Sequence, residues 1–77
     1  MGTFVETSVR VMIELRRDPA GVARVYAQGE SLTDDGQVLR RRTLQDITDS
    51  LSQARRDGAE ALLADLESKL RNLWDIP

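Results

Sequence analysis

The chain has 77 residues, with eleven Lys and Arg against thirteen Asp and Glu, and neither histidine nor cysteine. A single domain of that size buries only about 60–65% of the surface its unfolded chain exposes, and no disulfide or thiolate metal site can reinforce its core. The usual general base, the thiol nucleophile and the commonest metal ligands are all missing, so no catalytic residue, no metal and no cofactor is expected, and no small-molecule substrate.

The net charge of −2 divides into +1 over residues 1–45 and −3 over 46–77, which is not the basic balance of a general nucleic-acid binder. No apolar run approaches the ~20 residues of a membrane span. The N-terminus lacks the basic-then-apolar pattern of a secretory signal. A cytoplasmic protein with no membrane partner is the expectation.

The first element is a strand. Val5, Thr7, Val9, Val11, Ile13 and Leu15 alternate with Glu6, Ser8, Arg10, Met12, Glu14 and Arg16. That period of two, β-branched on the apolar side, marks one buried and one solvated face. Asp18-Pro19-Ala20-Gly21 follows with the residue order of a tight turn. A bulged hairpin pairing Asp18 with Val22 makes partner numbers sum to 40. Arg10 then faces Glu30, a charge match that played no part in choosing the register.

The second strand runs from about Val22 to Leu32. Thr33-Asp34-Asp35-Gly36 repeats the turn chemistry, with Gly36 at the left-handed position. A third strand, about Gln37 to Arg42, is predicted to return beside the second, with a loop as its rival. Pairing Thr33 with Gln37 sets Glu30 opposite Arg40 as well as Arg10, with Arg41 on the other face.

Thr43-Leu44-Gln45-Asp46 reads as a helix start, with Thr43 as cap. Leu44, Ile47, Leu51 and Ala54 continue at helical spacing. Gly58 follows, and Ala59 to Trp74 carries a second stripe rotated from the first. A break or kink at Gly58 is favoured over one continuous helix, which an isolated glycine does not forbid. The expected architecture is α+β in one domain over 1–77. Residues 3–42 form a small antiparallel meander of two to three strands. Residues 43–75 form two helical segments that cover one sheet face, ββ(β)αα. The arrangement is similar to that of small phage and mobile-element proteins in fold alone, with no residue-level motif behind the likeness.

Two surfaces are candidates for function. Leu62, Leu63, Leu66, Leu70, Leu73 and Trp74 form a wide apolar stripe for so short a chain. It is core if the helices fold back over the sheet, and a partner surface if they do not. Of these, Leu63, Leu66, Leu70, Leu73 and Trp74 are the expected interface with a protein partner, most simply a second copy in a homodimer. The alternative is the polar sheet face, where Arg10, Met12, Arg24, Tyr26, Arg40 and Arg42 would form a recognition surface for nucleic acid or protein. The plainer reading of that face is a solvated surface whose charges neutralise one another. The expected function is a non-catalytic, self-associating interaction module, an adaptor, assembly component or inhibitor of a larger complex. A nucleic-acid-binding module is the alternative.

Overall fold

The computed structural model describes residues 5–77; the start of the expected sheet portion, Thr3 and Phe4, lies outside the described residues. Three strands, β1 (Ser8–Arg17), β2 (Ala23–Leu32) and β3 (Val38–Asp46), form one antiparallel sheet in the order β1-β2-β3. A 3-10 turn (Thr48–Ser50) leads to one helix, α1 (Gln53–Leu73). The expected pair of helical segments is therefore corrected to a single helix, while the α+β meander stands.

The β1–β2 hairpin has the expected register throughout, from Arg17 opposite Ala23 to Ser8 opposite Leu32. Its turn closes with the Gly21 N–H donating to the Asp18 carbonyl, and Asp18 Oδ1 accepts from the Ala20 and Val22 N–H groups at 2.9 Å each. Gly21 and Gly36 both take positive φ, +83° and +84°, which explains glycine at the same place in each turn.

The β2–β3 register departs from expectation twice. Leu32 faces Val38, but Ser31 faces Arg40, so Leu39 is an extra residue. A second irregularity separates Gly29 opposite Arg42 from Ala27 opposite Gln45. Each inserted residue reverses the faces of all that follow. Arg41 therefore joins Arg10 and Glu30 on one face, while Arg40 and Arg42 lie on the other.

The segment expected to begin a helix at Thr43 instead prolongs β3. Had β3 stopped at Arg42, the first half of β2 would have kept a row of unpaired backbone groups. Pairing of Gln45 with Ala27 and Asp46 with Tyr26 satisfies them, and the Ile47 N–H donates to the Val25 carbonyl at 2.9 Å. Thr48, almost fully buried, ends the ladder with its side chain: its hydroxyl accepts from the Val25 N–H at 2.8 Å. Asp46 accepts from the Thr48 N–H and hydroxyl, so its acid serves the 3-10 turn. The helix starts later, at Ser52, whose side chain accepts from the Arg55 N–H, and it passes Gly58 without a break.

α1 packs on the odd-numbered face of the sheet, at the end nearest the first turn. Ala23, Val25 and Leu63 are the buried apolar residues among those described. Arg17, at the end of β1, ties the layers together. It binds the Glu67 carboxylate through Nε and Nη2, and Glu60 and the Gly21 carbonyl through Nη1, all within 3.2 Å. Those carboxylates hold its guanidinium well above its ordinary pKa.

Candidate functional site: an uncovered apolar face

The odd-numbered face of β1 was expected under helix, but the structure leaves most of it in water. Val9, Val11 and Ile13 are 70%, 57% and 64% exposed. One helix can cover only one end of a three-stranded sheet, and α1 takes the end with Leu15 and Val25. Along the helix, Leu63 is buried and belongs to the chain's own core. Leu66 and Leu70 are exposed, and Leu73 and Trp74 are 71% and 62% exposed. So four of the five residues expected at a partner interface are free to meet one, and Leu63 is not.

The uncovered sheet and the uncovered helix stripe adjoin. Leu62, Leu66 and Leu70 line a hollow with Ile13 and Leu15. Leu62 and Ala59 line another with Ile13, Val25, Ile47 and Leu51. Beyond Ile13 the apolar floor continues through Val11, Ala27 and Ile47. The contribution of Val9, Val11 and Ile13 was missed at the level of sequence because a strand pattern reports that a face is apolar, not whether the chain has enough helix to cover it.

The opposite face is polar and largely self-neutralised. Glu30, 6% exposed, receives Arg10 on one carboxylate oxygen at 2.8 Å and Arg41 on the other at 2.9 Å. Those guanidinium groups, Arg10 first, hold its carboxyl below the ordinary range against the cost of burial. Arg24 binds Asp46 at 3.0 Å and approaches Asp49. Arg16 stacks on the Tyr26 ring, 3.8 Å from its centre, and also meets Glu14. Met12 is exposed, its sulfur near the Gln28 amide.

Of the six residues expected on this face, Arg10, Met12, Arg24 and Tyr26 share it. Arg40 and Arg42 do not: Arg40 binds Glu6, and Arg42 donates to the Gln45 side chain. Both sit at the rim of the apolar face.

Among the described residues no group of three His, Cys, Asp or Glu side chains is placed to hold a metal. Nor is any helix among them long and apolar enough to cross a membrane. The chain matches no family model, no curated protein and no solved structure.

Proposed function

We propose that this chain is a non-catalytic interaction module that works as a homo-oligomer, serving as an adaptor, assembly component or inhibitor within a larger complex. The observation that carries the reading is an excess of surface. A compact monomer of 8.6 kDa has an accessible surface of about 4,700 Å², whereas this chain exposes 6122 Å². The surplus is roughly 1,400 Å² per chain, and the exposed residues where sheet and helix adjoin include Val9, Val11, Ile13, Leu62, Leu66 and Leu70. Two copies hiding it would bury roughly 2,800 Å² in total, within the range of obligate homodimers.

The test is absolute molar mass by light scattering behind size exclusion, over a dilution series. A stable multiple of 8.6 kDa is expected. One chain at every concentration overturns the reading. Leu70→Asp and Trp74→Asp are expected to lower the mass while leaving the sheet's circular dichroism signal. Nucleic-acid binding would need its arginines free for phosphates, but Arg10, Arg24, Arg40 and Arg41 are held by carboxylates.

A further inference from the structure

β1 is an open edge. Its partner on one side is β2, and among the described residues no strand lies on the other side. The opposite edge, β3, is broken by two register shifts and carries Arg40, Arg41 and Arg42, the features by which sheets discourage pairing. β1 also carries charge, in Arg10, Glu14, Arg16 and Arg17, but of both signs and with no shift of register. It is ten residues long, regular in register, and free of proline and glycine.

The direction of its free backbone groups follows from the hairpin. The Asp18 N–H donates to the Val22 carbonyl, so even-numbered backbone groups of β1 point at β2 and odd-numbered ones at the open edge. The N–H and C=O groups of Val9, Val11, Ile13 and Leu15 are thus presented outward.

The geometry points to a second copy of this chain as the occupant of that edge, its β1 antiparallel to this one about a two-fold axis at Met12. This rests on the self-association reading and specifies its geometry. In that register Val9 faces the partner's Leu15, and Val11 faces the partner's Ile13, joined by the outward backbone groups. On the other face Met12 meets the partner's Met12, and Arg10 meets the partner's Glu14. The symmetry makes that charge pair twice. Sliding by one two-residue step destroys the match: one slip sets Arg10 against Arg16, the other sets it against Met12. The segment is self-complementary in this antiparallel register and in neither neighbouring one, as a two-fold interface requires, and opposite charges directly across a ladder favour it.

The helix supplies an independent argument. α1 begins at a hollow shared with Ala23, Arg24 and Thr48. By Leu66 and Leu70 the sheet residues beside it are Ile13 and Leu15 of β1 alone. Its axis therefore moves from the β3 side toward the open edge. It is ~31 Å long over three strands whose outer axes lie ~10 Å apart, and the molecule measures 59 Å in its longest dimension. On that course we place the last turn and the Trp74 that follows it out over the β1 edge. A partner strand at that edge would put its Val9 beside this chain's Leu15, beneath the overhang. Edge pairing and helix coverage thus call for the same neighbour in the same place, giving one six-stranded sheet with both helices on one side.

Single cysteines test the register, since the native chain has none. Met12 is exposed, so Met12→Cys leaves the subunit intact. At the axis it faces itself in a non-hydrogen-bonded pair, where Cα atoms are ~4.5 Å apart and a disulfide can form. Under mild oxidation Met12→Cys is expected to become a covalent dimer in high yield, while Arg10→Cys and Glu14→Cys link poorly alone and readily when mixed with each other. Glu14→Arg, which opposes the partner's Arg10, is expected to weaken dimerisation about tenfold. Strongest self-linking at Val11→Cys or Ile13→Cys, or none by any of the five variants while light scattering still gives a dimer, overturns this geometry and leaves self-association standing. A monomeric mass for the parent chain overturns both.

Discussion

Glu30 is an unusual residue for so exposed a molecule, a nearly buried carboxylate at the centre of the polar sheet face. Two guanidinium groups, one from each neighbouring strand, make burial tolerable and link all three strands through one side chain. Because Arg10 and Arg41 hold its folded pKa below the ordinary value of 4.5, its contribution is fully present above that value. It is lost as pH falls through the folded value. The same sign applies to Glu67 beside Arg17, to Glu6 beside Arg40 and to Asp46 beside Thr48. The thermal midpoint should therefore be flat from neutral pH down to about 5 and fall below about 4.5. Glu30→Gln, which keeps the shape and removes the charge, should melt lower at pH 7 and show a shallower acid limb. An unchanged midpoint and limb in thermal melts would remove Glu30 from this role. The Arg10–Glu30 half of the cluster was legible in the sequence, because hairpin turn and alternation agree on one register. The Arg41 half was not, because a bulge leaves no mark in a run of three arginines.

At the scale of elements, the segment from Thr43 to Leu51 shows how a stripe can mislead. Ile47 and Leu51 are apolar and four apart, and they do line one hollow over Val25, yet they reach it from a strand end and a 3-10 turn. The demand that decides the matter is the backbone of β2, which needs partners along its whole length, and that demand belongs to another part of the chain. Gly58 is the complementary case. A glycine between two stripes resembles a break, but α1 runs through it, and a Cβ built there meets nothing within 4 Å. Gly58→Ala should therefore stabilise the fold by about 0.5–1 kcal/mol, raising the thermal midpoint by several degrees in a chain of this size. A lower midpoint would mean that a partner's atoms approach Gly58 more closely than any within the chain. Within Gln53–Leu73, Leu63 is buried against the sheet; Leu62, Leu66 and Leu70 reach Ile13 and Leu15 only in part, and Leu73 is 71% exposed.

The whole molecule has the proportions of a part. Its radius of gyration is 16.7 Å, against about 11.5 Å for a compact domain of this length, and the core among the described residues is Ala23, Val25 and Leu63. So little buried apolar surface gives the subunit modest stability of its own, to which the proposed association would add by mass action. Trp74 would report on the proposed association, being the chain's single tryptophan and 62% exposed in the single chain. Seated over a partner's sheet its indole leaves water, and its emission should be blue-shifted at high concentration. On dilution the emission should move to the red in step with the fall in molar mass. Far-ultraviolet circular dichroism should decline over the same range, because α1 loses the surface that holds its last turns. The thermal midpoint should also rise with protein concentration, as mass action requires. Red emission at all concentrations from a species of dimeric mass would separate the two contacts argued above. The strand edges would then be joined with the helix ends left in water, and Val9 and Val11 would need a different cover, the apolar surface this assembly offers to its next partner.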